Sequence, residues 1–339
     1  MKKNIILFII YKKYKFIIKF FLLCFAINLY RFILLKINFS RLNKLYPKKL
    51  LWEKELDIYS VSMPLFNINF QRKQKCILFI SGFRDIPYLW NDIIKYFKQD
   101  KIDYYAPRTH GFGRSFFQDS EPKDWIITYL EAIHILQELY EEIDIVALST
   151  GCVITLYLTQ FKYKCKINNL FLCSPFLLKK PSTIYFLFFD SYLSKFFGPL
   201  FRYTLKYHIK SKGKYDECRE TNYTYNSIND FYDLIGDFSL EEKLIKFINF
   251  RPKEIFVNNI IILNPNDDQI IGDIKEQHQI LSNIFKKKIE LINIPNYDEY
   301  EKKILVHLPK LCGHVMFKEN DYIIQNIYQI IKKYFFNKI

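Results

Sequence analysis

From Cys76 onward the chain switches repeatedly between short uninterrupted apolar runs and longer stretches in which apolar residues recur every three or four positions. "CILFISGF" (76–83), "IDYYAP" (102–107), "IDIVALS" (143–149) and "NNLFLCSPF" (168–176) are runs of the first kind. A strand buried on both faces reads this way, so each predicts a strand in a parallel sheet. "YLWNDIIKYFKQ" (88–99), "DWIITYLEAIHILQELY" (124–140) and "GCVITLYLTQF" (151–161) have helical spacing and lie between the runs. Strand and helix alternating with short connections predict an α/β architecture, a mostly parallel central sheet with helices on both faces.

The pattern has two irregular regions. Residues 52–70 read as strand-rich entry structure, and about 177–253 lapses into helical, aromatic-rich sequence before strands resume at "NNIIILNPNDDQIIG". Because that interval separates two parts of one sheet, it predicts a helical cap inserted into a single domain over 52–339. "KKKIELINI" (286–294) and "KKILVHLPKL" (302–311) predict further strands, and "DYIIQNIYQIIKKYF" (321–335) a closing helix.

The formal charge of +15 changes this picture only at the N-terminus. Residues 1–50 hold twelve Lys and Arg with no Asp or Glu, which leaves 38 basic against 35 acidic residues in the rest. The folded body is therefore nearly balanced, and with no basic helix or recognition motif it predicts no nucleic-acid partner. The basic segment is also strongly apolar, but its run from Phe16 to Leu35 is broken by Lys19 and Arg31. A spanning helix needs roughly 20 largely apolar residues. Residues 1–45 thus predict membrane association, with an anchor, a signal-peptide core and an interfacial helix all open. The seven cysteines form no C-x-x-C pair, so neither a disulfide framework nor a zinc site is expected, and buried free thiols are.

Candidate chemistry begins at "DIVALSTGCV" (144–153), where Ser149 stands between a strand and a helix with Ala147 two before it and Gly151 two after. A nucleophile on such a sharp turn needs small residues at both places, although a plain turn serine fits the local pattern too. One strand earlier, "FISGFRD" puts a Gly turn ahead of Phe83, so the Phe83 and Thr150 backbone N–H groups are a candidate donor pair for a developing oxyanion. "APRTHGFGRSF" (106–116) has Phe116 where a dinucleotide-binding loop needs its third Gly, which argues against that cofactor. Downstream, Asp267 and Asp268 follow an apolar strand, and "LCGHVMF" brings His314 after a Gly. A serine hydroxyl needs an imidazole to take its proton, and the imidazole needs a carboxylate to fix its tautomer. His307 is the other candidate base, but it stands inside a predicted strand.

These segments, "SGF", "APRTHGFGRS", Asp124–Trp125 and "ALSTGCV" across Cys76 to Phe176, are similar to the carboxylesterase and monoacylglycerol-lipase branch of the α/β-hydrolases. The resemblance implies an α/β-hydrolase fold and a triad of Ser149 as nucleophile, Asp268 as acid (favoured over Asp267 by its "DQII" frame) and His314 as base. It also implies hydrolysis of carboxylic esters through an acyl-enzyme, with no cofactor or metal. Two departures stand out: Ser81 where the family usually has His, and Ala147 where it usually has Gly. The aromatic-rich cap and the membrane-associating segment suggest lipid esters such as monoacylglycerol. An acyltransferase on the same fold and an inactive, membrane-tethered binding protein are the alternatives.

Overall fold

The computed structural model describes residues 48–50, 57–59, 62–68, 73–83, 85–112, 122–177, 257–265, 273–285, 287–294 and 321–336, besides four isolated positions before residue 48. In chain order the elements are β1 (Lys48–Leu50), β2 (Asp57–Tyr59), β3 (Leu65–Asn67), β4 (Lys73–Ile80), α1 (Asn91–Gln99), β5 (Tyr104–Ala106) and α2 (Pro122–Leu136). There follow β6 (Tyr140–Leu148), α3 (Thr150–Leu158), β7 (Lys166–Cys173), β8 (Asn259–Pro265), α4 (Ile274–Phe285), β9 (Glu290–Ile294) and α5 (Asp321–Phe336). β1 and β2 form a separate antiparallel pair, and seven strands make one sheet in the order β3-β5-β4-β6-β7-β8-β9. Only β3 runs antiparallel to its neighbour.

The apolar runs became strands because both of their faces are covered. In β4, Cys76, Leu78 and Ile80 join a core with Trp125, Tyr129 and Ile133 of α2, Val153 of α3 and Leu281 of α4. The alternate residues Ile77 and Phe79 face a second core with Trp90, Phe97 of α1, and Ile324 and Ile327 of α5. The Phe79 ring centroid lies 4.9 Å from that of Trp90 and 5.6 Å from that of Phe97, the spacing of interlocked aromatic pairs.

The chain steps from β4 outward to β5 and then returns to the other side of β4 to form β6. The loops leaving β4 and β6 therefore part company above adjacent strands, which opens a crevice at the C-terminal edge of the sheet. β7 pairs directly with β8 in parallel, so the strands before and after the 177–253 interval do belong to one sheet. Residues 178–256, where the cap is expected, lie outside the described residues, as does the predicted strand 302–311.

Several boundaries differ from expectation. α2 stops at Leu136, and Tyr140 opens β6 instead of closing the helix, because its buried hydroxyl donates to Asp103 Oδ2 at 2.7 Å. The helix α4 was not foreseen. Among the described residues no helix is long and apolar enough to cross a membrane, and residues 1–45 lie outside them apart from the four isolated positions.

At the N-terminal ends of β7 and β8, polar groups tie four strands and a helix together. The fully buried Asp144 of β6 accepts hydrogen bonds from Asn168 Nδ2 (3.1 Å), Asn169 N (3.1 Å) and Asn169 Nδ2 (2.9 Å). Asn168 and Asn169 accept in turn from Asn258 (2.6 Å) and Asn259 (2.8 Å). Lys75 Nζ of β4 lies 3.8 Å from Asp144 Oδ2 and donates to the Phe335 carbonyl of α5 at 3.0 Å. Buried carboxylates are tolerated only when their acceptor capacity is met in this way.

Burial nonetheless dominates at Asp144 and raises its pKa from 3.8 to about 6, with Lys75 and the two asparagines opposing the shift. A raised folded-state pKa means that the stability Asp144 contributes is full below about pH 3.8 and is lost as pH rises through about 6. Urea unfolding of wild type and Asp144→Asn between pH 4 and pH 7 is expected to show the stability difference moving in the variant's favour by about 2 kcal/mol. A difference that stays flat across that range contradicts the assignment.

Candidate active site

Ser149 ends β6 and caps α3 with φ 55 and ψ −118. A residue with a Cβ in this region is strained by roughly 1–3 kcal/mol, and the conformation is held by bonds on both sides. Ser149 N donates to the Cys173 carbonyl at 2.9 Å, continuing the β6–β7 ladder, and Cys152 N donates to the Ser149 carbonyl at 3.0 Å, starting the helix. The chain therefore reverses within one residue and leaves the serine 8 % exposed at the sheet's C-terminal edge.

The two small residues flanking Ser149 do different jobs. A Cβ built on Gly151 would fall 2.5 Å from the Ile80 carbonyl oxygen and 2.7 Å from that of Ser81, so α3 starts in direct contact with the backbone leaving β4. Only Gly fits there. Ala147 is in register with Ile80 on one side and Leu172 on the other, and its methyl is fully buried in the core shared with α3. The steric pinch of the turn is at Gly151, and the departure at Ala147 is absorbed by ordinary packing.

Gly82 closes the site from the other side. A Cβ on it would come within 3.2 Å of Ser149 Cβ, 3.3 Å of the Leu148 carbonyl oxygen and 2.6 Å of Asp85 Oδ2. The turn from Gly82 to Asp85 is fixed by Asp85 N donating to the Gly82 carbonyl at 3.2 Å. Phe83 follows Gly82 in this turn, half-buried, with its ring 5.5 Å from Trp125 and 6.1 Å from Phe112. Thr150 is the first residue of α3, where backbone N–H groups have no partner within the helix and the helix dipole favours negative charge. The two segments expected to supply oxyanion donors thus lie on either side of Ser149.

Ser81 and the loop after β5 stand behind that turn. Ser81 Oγ accepts the Trp90 indole N–H at 2.9 Å, and Ser81 N donates to the Tyr129 hydroxyl at 3.1 Å. The same hydroxyl lies 2.7 Å from Thr109 Oγ1. His110 N donates to Thr128 Oγ1 at 3.2 Å, which pins the "APRTHGF" loop to α2. Sequence reasoning did not find Trp90, Thr109 or Tyr129 as site-supporting residues.

One row of the sheet carries several of these positions. Ile80, Ala147, Leu172 and Ile262 are paired across β4, β6, β7 and β8. Two residues further along each strand come Gly82, Ser149, Ser174 and Asn264. Ser174 also has a positive φ, 45, and its N–H continues the ladder to the Leu263 carbonyl at 2.9 Å. Ser174 Oγ, Thr150 Oγ1 and Asn264 Oδ1 are buried and have no hydrogen-bond partner among the described residues.

Asp267, Asp268, His307 and His314 lie outside the described residues. β8 ends at Pro265, two residues before the acid pair. Cys76, Cys152, Cys165 and Cys173 are free and buried, and burial raises the thiol pKa of each, to about 11 in Cys165. Thiolate chemistry is thereby suppressed around Ser149. Among the described residues no three His, Cys, Asp or Glu side chains come together as a metal ion requires.

No protein-family model and no curated protein matches the sequence. Solved structures match it in fold. A soluble variant of monoglyceride lipase from Saccharomyces cerevisiae, in complex with a substrate analogue, aligns at 15% identity over 86% of this chain and 98% of its own, with a TM-score of 0.57. A structure from work on LipS and LipT, two metagenome-derived lipolytic enzymes, aligns at 16% identity over 81% and 99%, with a TM-score of 0.55. The monoacylglycerol lipase of Paleococcus ferrophilus aligns at 12% identity over 80% and 97%, with a TM-score of 0.55.

Replacing Gly by Ala inside a helix ordinarily stabilises by about 0.5–1 kcal/mol. Gly151→Ala is expected to do the reverse, because the new methyl meets two backbone oxygens, and to cost about 1–3 kcal/mol in urea unfolding. A variant as stable as wild type contradicts the close contact.

Proposed function

Starting from the α/β-hydrolase fold, which this chain adopts, we propose that it is a serine hydrolase that cleaves carboxylic esters. The observation that carries the reading is the backbone of Ser149, φ 55 and ψ −118 between β6 and α3, with Gly82 so placed that a Cβ on it would stand 3.2 Å from Ser149 Cβ. A strained, non-glycine residue at a strand–helix turn is retained where its side chain has to stand clear of the sheet.

In this reading His314 takes the Ser149 proton as the hydroxyl oxygen attacks the ester carbonyl, and Asp268 holds the imidazole in the required tautomer. The Phe83 and Thr150 N–H groups receive the charge that develops on the carbonyl oxygen. The alcohol leaves with the proton from His314, and water, deprotonated by the same imidazole, releases the acid from the acyl-enzyme. Neither departure from the family pattern removes a group this sequence of steps needs: Ala147 is packed in the core, and the Ser81 hydroxyl is bonded to Trp90.

The proposed substrate class rests on two stretches of the sequence. The expected cap, with Phe186, Phe188, Phe189, Phe196, Phe197 and Phe201, suits an acyl chain, and an apolar, basic N-terminus suits a membrane surface. We therefore assign lipid esters such as monoacylglycerol as substrates and a membrane-associated location.

The test is hydrolysis of p-nitrophenyl esters of increasing acyl length by the full chain. Ser149→Ala is expected to lower kcat by at least about a thousandfold at unchanged fold, as loss of a nucleophile does. Ester hydrolysis surviving in Ser149→Ala at the wild-type rate contradicts the assignment.

A further inference from the structure

Side chains from three segments distant in sequence gather around Ser81, the residue that leads into the Gly82 turn. Ser81 follows β4 and is buried, and its N–H and its hydroxyl are both engaged by side chains that the proposed chemistry does not use. Trp90 donates to its Oγ at 2.9 Å, and Tyr129 of α2 accepts its N–H at 3.1 Å. Thr109, from the loop after β5, holds the phenol at 2.7 Å.

Tyr129 lies in the apolar stripe of α2 between Trp125 and Ile133 and is fully buried. A phenylalanine would fill almost the same volume there without a hydroxyl to desolvate. The hydroxyl is accounted for by its bonds: it accepts the Ser81 N–H where β4 turns into Gly82, and it links that N–H to the loop bearing Thr109. Burial also raises its pKa to about 12, so the group stays a neutral phenol at ordinary pH.

We propose that Tyr129 is a positioning residue for the oxyanion turn, setting the Ser81 peptide plane and through it the direction of the Phe83 N–H, with Thr109 and Trp90 as its supports. This rests on the reading of Ser149 as nucleophile and of Phe83 as an oxyanion donor. The lever is short. Two residues, Ser81 and Gly82, separate the held N–H from the donor, and a Cβ on Gly82 would stand 3.2 Å from Ser149 Cβ. Displacements well under 1 Å at such a donor are enough to weaken transition-state stabilisation while leaving substrate binding intact. The same device gives Ser81 a role: its small side chain lets the Trp90 indole reach the turn.

The experiment compares wild type, Tyr129→Phe and Thr109→Val in the full chain, reading kcat and KM on a p-nitrophenyl ester. The same proteins are assayed for inhibition by an alkyl trifluoromethyl ketone, which adds the serine hydroxyl and places a negative oxygen in the oxyanion hole. Tyr129→Phe is expected to lower kcat roughly 10- to 100-fold with KM within about threefold, and to weaken the ketone by the same factor as kcat/KM. Thr109→Val, which leaves the phenol but removes its anchor, is expected to show a smaller fall in the same direction. A purely structural role would lower the melting temperature and leave kcat and ketone affinity of the folded protein at wild-type values, and that result overturns the proposal. If Tyr129→Phe does not fold, wild-type kcat in Thr109→Val overturns it instead. The two readings fail separately: an active wild type with an unaffected Tyr129→Phe removes only this inference, whereas a wild type inert to both ester and ketone removes the serine-hydrolase reading and this inference with it.

Discussion

The structure around the candidate site depends on one contact: the start of α3 pressed against the backbone that leaves β4. Gly151 has no Cβ, so the helix approaches the Ile80 and Ser81 carbonyl oxygens at a distance that any side chain would forbid. That approach requires the chain to reverse at Ser149 within a single residue, which it does at a positive φ. Strain of that kind persists only when its surroundings over-determine it. Here the ladder bond to Cys173 and the first helical bond from Cys152 fix the residue from both sides.

The rest of the sheet makes that turn affordable. From Ile145 onward β6 stays in step with β4 and β7, and β7 with β8, so their C-terminal ends form an even edge on which Gly82, Ser149, Ser174 and Asn264 fall in a row. Toward the opposite end, β6 and β7 shift register by one residue between Ile143 and Ile145. Asp144 lies at that irregularity, and its buried carboxylate is met by Lys75 of β4 and by Asn168 and Asn169 of β7, which accept in turn from Asn258 and Asn259. A further slip would strand that carboxylate without partners as well as move the edge row.

Much of this was legible in the sequence, for reasons that also explain what was not. Strands buried on both faces leave uninterrupted apolar runs, so β4, β6, β7 and β8 could be read with small errors at their ends. The strand–helix turn at Ser149 was legible because a small-residue pattern follows an apolar run there, although a plain turn serine fits that pattern too. Of the two small residues flanking Ser149, Gly151 is one at which a Cβ would meet backbone oxygens, and Ala147 is a fully buried core residue. The end of α2 was misjudged because apolar spacing runs on through Tyr140, whose place is decided by a hydrogen bond to Asp103 in another segment. Tyr129 had no sequence signal, since its partners Ser81 and Thr109 are 48 and 20 residues away and its position in an apolar stripe reads as core.

The central claim is that the backbone of Ser149 holds a hydroxyl ready for nucleophilic attack, and it is tested most directly by covalent capture. The full chain would be treated with an alkyl fluorophosphonate, digested, and searched by mass spectrometry for the phosphonylated residue. The account predicts a single adduct on the peptide containing Ser149, displacing fluoride at the hydroxyl oxygen. An unmodified Ser149 in folded protein, or an adduct on another serine alone, would contradict it.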